Sequence, residues 1–148
     1  MSASSKSFLF PDINVWVALT YERHVHHVSA REWFARLAPT ARLFFCRITQ
    51  LGLLRLLTSA VVMGPDAAKS QQEAWKAYDR WLGDHRVEFL EEPGGLEAAL
   101  RALTRSSQVS PKDWADSYLL AFALAADLRL VTFDQALHSR SKDVLLLS

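Results

Sequence analysis

The sequence has little of the residues that define several classes of protein. Among its 148 residues there are one cysteine, five glycines and five prolines. The single cysteine, Cys46, excludes an intramolecular disulfide and a zinc site built from several cysteines. The scarcity of glycine and proline, with 50% hydrophobic residues, excludes collagen-like and low-complexity chains. We therefore expect a folded globular protein.

Charge of one sign and long apolar runs are also lacking. Seventeen lysines and arginines against sixteen acids give a net charge of +1, so a nucleic-acid partner would need a local basic patch. No run approaches about 18 uncharged apolar residues, and Pro11 and Asp12 interrupt the first apolar segment. We expect neither a membrane span nor a secretory signal, and hence a cytoplasmic protein. Its length predicts a single domain over residues 1–148.

Short apolar runs alternate with longer segments of helical period along the chain. Such alternation predicts parallel strand pairs, because parallel neighbours need a long crossover that a helix fills. The predicted fold is an α/β domain with an open, mostly parallel five-stranded sheet and helices on both faces. The predicted strands are Phe8–Phe10, Leu43–Cys46, Val87–Leu90, Leu128–Phe133 and Val144–Leu147, and the predicted helices lie near 28–37, 48–58, 66–82, 96–103 and 111–126.

Four polar residues fall at the carboxyl edge of this predicted sheet, where ligands collect in such folds. Asp12 follows the first strand and Asp134 the fourth. Gln50 lies in the first turn after the second strand, and Asp116 lies in the helix that leads to the fourth. Carboxylate oxygens suit Mg²⁺ or Mn²⁺, and a bound cation stabilises charge at a scissile phosphodiester. The pattern predicts metal-dependent phosphoryl hydrolysis.

Five segments carry a family resemblance: Phe8–Leu19, His24–Phe34, Ile48–Thr58, Trp114–Ala121 and Val131–Asp134. In this order and over nearly the whole chain, they resemble a PIN-domain ribonuclease of the VapC toxin type. The resemblance implies an endoribonuclease that uses Mg²⁺ or Mn²⁺ and acts as the toxin of a type II toxin–antitoxin pair. It also implies a small antitoxin partner and a homodimer.

The resemblance also implies roles for particular residues. Asp12, Asp116 and Asp134 match three of the family's acidic metal-site residues, and Asn14 matches the polar residue that supports the first. Gln50 stands where the family usually has a fourth acid. Its carbonyl oxygen can still bind a metal or orient a water, but the missing charge should weaken cation affinity. An alternative function is therefore a catalytically weakened PIN-fold protein that serves as a binding or regulatory module.

Further residues near this edge are candidates for supporting roles. Asp113 shares a helical face with Asp116, although a capping box with Ser110 would also explain it. Thr132 could hydrogen-bond to water at the site. Arg55 could contact RNA or pair with a site carboxylate. The basic side chains that could neutralise RNA phosphates are Arg23, Arg47, Arg55 and Lys112.

Histidines and aromatic residues also cluster in the sequence. His24, His26 and His27 lack the spacing of a zinc site, so substrate contact or the start of a helix is the favoured role. An aromatic stripe on the 66–82 helix would form a surface for an antitoxin helix or a second copy if it is exposed. The stripe consists of Trp75, Tyr78 and Trp81.

Overall fold

The computed structural model describes residues 7–105, 110–111 and 113–148. Its centre is a five-stranded sheet in which every strand pair is parallel. The strands are β1 (Phe8–Pro11), β2 (Arg42–Phe45), β3 (Val87–Phe89), β4 (Arg129–Thr132) and β5 (Leu145–Leu146), in the spatial order β3-β2-β1-β4-β5. The predicted five-stranded parallel sheet is confirmed, and β1 lies at its middle.

Eight helices connect these strands within the described residues. They fill the crossovers that parallel pairing requires. In chain order they are α1 (Ile13–Thr20), α2 (His27–Ala35), α3 (Arg47–Leu57), α4 (Ala60–Met63), α5 (Gln71–Leu82), α6 (Leu96–Leu103), α7 (Asp113–Ala126) and α8 (Gln135–His138). None of them is both long and apolar enough to cross a membrane.

Helix α1 is missing from the sequence-based prediction. Its residues Val15–Leu19 are all buried, so the segment is apolar on every side and shows no helical period. The start of the helix is set by Asp12, whose side chain accepts a hydrogen bond from the backbone N–H of Ile13. The sequence signal that indicates the start of α1 is its polar cap, Asp12, and not the spacing of hydrophobic residues.

Two other predicted helix starts are wrong by a few residues. Helix α5 begins at Gln71 instead of 66, because Ser70 and Glu73 form a reciprocal capping box there. Helix α7 begins at Asp113, and Pro111 lies in the turn before it. Ser110 and Asp113 do interact, but the serine Oγ donates to the carboxylate at 2.7 Å.

The sheet separates two apolar layers. Alternate strand residues face opposite sides, so Leu9 and Leu43 pack into one layer while Phe10 and Leu130 pack into the other. The first layer includes α1, where Trp16 stacks on Phe45 with ring centroids 3.9 Å apart. The second layer is filled mainly by α7 and α6. Helices therefore cover both faces, as predicted.

Candidate active site

Asp12 lies between β1 and α1, at the carboxyl end of the central strand. Its Oδ1 accepts from the N–H of Ile13 at 2.6 Å, and its Oδ2 accepts from the hydroxyl of Thr132 at 2.8 Å. Burial raises the pKa of Asp12, and these two hydrogen bonds offset part of the rise. The nearby carboxylates of Asp116 and Asp134 raise this pKa further.

Thr132, at the end of β4, joins the two central strands. Its side chain is fully buried, and its Oγ accepts from the backbone N–H of Asp134 at 3.0 Å while its hydroxyl donates to Asp12. Asn14 strengthens the same junction, since its Nδ2 lies 3.5 Å from Thr132 Oγ and its Oδ1 accepts from the N–H of Phe133. Thr132 and Asn14 therefore fix the positions of the site carboxylates.

Asp134 and Asp116 come from different elements, and each lies near enough for its charge to raise the pKa of Asp12. Asp134 caps α8, and its Oδ1 accepts from the N–H of Ala136 at 2.9 Å. Asp116 lies in α7, and within the described residues its carboxylate accepts no hydrogen bond. Burial raises the pKa of Asp116, the charge of Asp134 adds to the rise, and Arg140 opposes it. The three carboxylates are thus close enough to repel one another.

The donor set fits a hard divalent cation. Within the described part of the chain, no three histidine, cysteine or acidic side chains converge tightly enough to enclose an ion. Mg²⁺ does not need such a cage, since it usually keeps several waters and binds one or two carboxylates together with substrate phosphates. The chemically suited ligands are the carboxylates of Asp116 and Asp12, which lie near each other. The Asp116 carboxylate accepts no hydrogen bond within the described residues, so its lone pairs are available to a cation.

Gln50 is buried close to the end of β2, on the first turns of α3. Its Oε1 accepts from Nη1 of Arg47 at 2.7 Å, and its side chain also contacts the hydroxyl of Tyr78. The Arg47 guanidinium lies over the ring of Phe89, 4.6 Å from the centroid. Among the described residues, Gln50 forms no hydrogen bond with the three aspartates.

The other predicted basic residues are dispersed. Arg23 is exposed in the loop between α1 and α2. Arg55 is exposed on α3, where it lines a groove of ≈ 320 Å³ with Trp75, and it forms no ion pair among the residues described. The predicted pairing of Arg55 with a site carboxylate is therefore absent. Lys112 lies outside the described residues, and Asp113 pairs with Ser110.

The histidines support the start of α2 and form a contact with the segment that follows β4. His27 Nδ1 donates to the carbonyl oxygen of Ala18 at 2.7 Å, and Nδ1 of His24 accepts from the N–H of His26. The ring of His26 stacks on Phe133, with centroids 4.3 Å apart. Phe133 follows β4, so this stacked pair joins the loop after α1 to the segment after β4.

Arg140 belongs to the site although no pattern in the sequence points to it. It follows α8, and its Nη2 donates to the buried hydroxyl of Ser117 at 2.9 Å. This contact holds the positive charge beside Asp116, the neighbour of Ser117 in α7, and the charge opposes the rise in the pKa of Asp116. The two contacting residues lie 23 positions apart in the chain, so no local motif could have revealed them.

The aromatic stripe predicted on α5 is only partly exposed. Tyr78 is buried against Phe45, and Trp81 is half-buried, where its Nε1 donates to Thr20. Trp75 remains 46% exposed. The stripe therefore contributes to the core as well as to the surface.

The fold and the site define a class of protein: a parallel α/β domain whose acidic residues meet at the carboxyl ends of β1 and β4. The model of the PIN domain family matches residues 9–142. Ribonuclease VapC41 of Mycobacterium tuberculosis is 43% identical over 131 residues, which cover 86% of this chain and 90% of the relative. Ribonuclease VapC38 of the same organism is 30% identical over 128 residues, which cover 83% of this chain and 82% of the relative. The chain belongs to the PIN-domain family and is of the VapC type.

Two solved structures share the fold at low sequence identity. One is Mycobacterium tuberculosis VapC20, a Sarcin-Ricin loop cleaving toxin, with a TM-score of 0.67, 17% identity and coverage of 95% of this chain and 99% of the other. The second is VapBC2 from Rickettsia felis bound to a DNA fragment from their promoter, with a TM-score of 0.66, 14% identity and coverage of 95% and 98%.

Proposed function

We propose that this chain is the toxin of a type II toxin–antitoxin pair and hydrolyses RNA phosphodiesters as an Mg²⁺- or Mn²⁺-dependent endoribonuclease. The observation that carries the proposal is the approach of Asp12, Asp116 and Asp134 at one edge of a sheet in a chain of the VapC type. Three carboxylates this close repel one another unless a cation is present. RNA is the substrate because the curated relatives are ribonucleases.

In this proposal the three aspartates have different roles. Asp12 and Asp116 would hold the cation, and Asp134, which caps α8, would add negative charge beside them. When bound, the cation offsets the charge that develops on the phosphate and lowers the pKa of a nearby water. Water attacks phosphorus and the bond to the 3′-oxygen breaks. Asn14 and Thr132 keep the carboxylates in position, and Asp113 adds negative charge near Asp116.

The binding partners follow from the same proposal. Arg23 and Arg47 would contact RNA phosphates around the edge of the sheet, as would Lys112 and, farther along α3, Arg55. A small antitoxin would silence the activity, and the chain would form a homodimer in the cytoplasm as one PIN domain over 1–148. The similarity in fold to a VapBC complex supports an antitoxin partner.

The test of the function is cleavage of a mixed pool of structured RNAs by the purified protein. We expect cutting in Mn²⁺ or Mg²⁺ that stops when EDTA removes the metal. A folded protein that leaves every RNA intact in both metals would contradict the proposal. That result would favour the alternative of a PIN-fold binding module, for which Gln50 is the evidence.

Divalent cations should stabilise the protein directly. A ligand that binds only the native state raises the free energy of unfolding by RT ln(1 + [L]/Kd). We therefore expect Mn²⁺ to raise the melting temperature of the wild-type chain and to leave that of Asp116→Asn nearly unchanged. Exposed Asp66, replaced in Asp66→Asn, provides a control that should respond to Mn²⁺ as the wild type does. An equal rise in Asp116→Asn would place the cation elsewhere.

Gln50→Glu tests whether this position belongs to the metal site. The carboxylate has the shape of the amide and can accept from Arg47, so the fold should be retained. The added charge should tighten Mn²⁺ binding by roughly three- to tenfold, a modest gain because Arg47 screens part of it. Calorimetric titration measures the affinity. No change would place Gln50 outside the cation's surroundings and leave it a structural partner of Arg47 and Tyr78.

A further inference from the structure

Arg140 is held beside the acidic cluster by a neutral partner. Its Nη2 donates to Ser117 Oγ, a hydroxyl that is fully buried at the start of α7. The rest of the Arg140 side chain is exposed. A buried hydroxyl that fixes one nitrogen of an exposed arginine sets the direction of the guanidinium without neutralising its charge in a direct ion pair.

Other arginines in this chain are engaged differently. Arg86 makes a two-point contact with Asp84, and Arg101 pairs with Glu97 one helical turn away. No carboxylate among the described residues lies within 4.0 Å of the Arg140 guanidinium. Asp116 is nevertheless near enough for the charge of Arg140 to oppose the rise in its pKa. The remaining N–H groups of Arg140 are therefore available to an anion that enters the site.

An RNA phosphate that approaches this edge meets several negative charges. Asp12, Asp116 and Asp134 surround the proposed reaction centre, and Asp113 stands nearby. A guanidinium presents a planar fork that matches two phosphate oxygens and remains charged at every physiological pH. At this position it would attract the phosphate that the carboxylates repel.

We propose that Arg140 binds an RNA phosphate beside Asp116 and that Ser117 positions it for this contact. The inference rests on the proposed ribonuclease function, because it identifies how that site holds its substrate. Arg140 is then a substrate-binding residue and Ser117 a positioning residue.

Binding without cleavage provides the test. A short fluorescein-labelled single-stranded RNA of mixed sequence is titrated in Ca²⁺ at several salt concentrations, and gels check that the RNA stays intact. Arg140→Gln keeps a donor for Ser117 and removes the charge, whereas Arg140→Lys keeps the charge. Arg36→Gln is the matched control, because exposed Arg36 ends α2 at the opposite edge of the sheet, before β2 begins.

The expected results separate a phosphate contact from a structural role. Arg140→Gln should weaken binding by about tenfold and reduce the slope of log K against log salt by about 0.7, the value for one contact to a single strand. Arg140→Lys should keep the slope, and Arg36→Gln should match the wild type. If Arg140→Gln binds with the wild-type affinity and slope, the inference is wrong.

Ser117→Ala gives a second route if Arg140→Gln fails to fold, as judged by circular dichroism. It leaves the charge but removes its anchor, so binding should weaken by about threefold while the salt slope is kept. Unchanged affinity in Ser117→Ala would contradict the positioning role and, with an unfolded Arg140→Gln, the whole inference.

The outcomes also separate this inference from the proposed function. If the protein cleaves RNA in Mn²⁺ and Arg140→Gln binds RNA as tightly as the wild type, the proposed nuclease function stands and the phosphate contact is rejected. Binding that depends on Arg140, with no cleavage in Mn²⁺, would keep the contact and reject the nuclease. A wild-type protein that binds no RNA would reject both.

Discussion

Asp12→Asn should reduce RNA cleavage in Mn²⁺ by at least about a hundredfold, since even the outer-shell partners of metal ligands cost 10- to 100-fold when mutated. The substitution removes the negative charge at the centre of the site. It keeps an oxygen that can accept from Ile13, so helix α1 should still be capped. Cleavage of the RNA pool measures the loss. Asp66→Asn, at an exposed position far from the cluster in the chain, should cleave as the wild type does.

The stability of Asp12→Asn is expected to be equal to or higher than that of the wild type at neutral pH without metal. Burial raises the pKa of Asp12 above its usual value of 3.8, so the folded state binds this proton more tightly than the unfolded state does. The contribution of Asp12 to stability is therefore lost as the pH rises from the unfolded pKa through the folded one. Asparagine has no such titration. Thermal unfolding across this range should show a smaller loss of stability with rising pH in the variant.

Two results would contradict this assignment of Asp12. Full cleavage by Asp12→Asn would show that Asp12 has no role in the reaction, even if Mn²⁺ raises the melting temperature of the protein. Loss of cleavage together with loss of the cooperative unfolding transition would show that the residue acts through the fold. Only inactivity in a folded protein supports a role in the chemistry.

The sheet and the gathering of the site could be predicted because both follow from local patterns and topology. Five apolar runs marked the strands, and parallel pairing places every strand's carboxyl end at the same edge. That rule brings Asp12 and Asp134 together although they lie 122 positions apart in the chain. Helix α1 could not be predicted from hydrophobic spacing, because its residues are apolar all round.

The partners of the site residues were beyond reach of the sequence. The sequence suggests that Thr132 hydrogen-bonds to water at the site, whereas in the structure its hydroxyl donates to Asp12. The geometry of that contact depends on the register of β1 against β4. The anchoring of Arg140 on Ser117 depends on how α8 and its following turn pack against α7. These two contacts join distant parts of the chain and need the assembled backbone. The contact of Gln50 with Arg47 is local, three positions apart on α3, but the predicted helix begins near 48 and leaves Arg47 outside it.

Thr132→Val should impair both stability and cleavage, because the hydroxyl of Thr132 bonds to the carboxylate of Asp12 and to the backbone N–H of Asp134. Valine has nearly the same shape, so the packing of this fully buried position is retained. The substitution removes the donor to Asp12 Oδ2 and the acceptor for the N–H of Asp134. Leaving buried polar groups without partners costs about 1–3 kcal/mol, which corresponds to a fall in melting temperature of about 2–4 °C for each kcal/mol in a domain of this size.

The effect of Thr132→Val on cleavage should reach about 10- to 100-fold, the range found when partners that orient metal ligands are removed. Thr132→Ser is the matched control: it loses a buried methyl group and some stability, but it keeps the hydroxyl and should keep most of the activity. Comparing the two variants at a temperature where both are folded separates hydrogen bonding from packing. Equal cleavage by the valine and serine variants would mean that the bond between Thr132 and Asp12 supports the fold alone. A selective loss in Thr132→Val would mean that the end of β4 sets the geometry of the carboxylate at the end of β1, and with it the reaction.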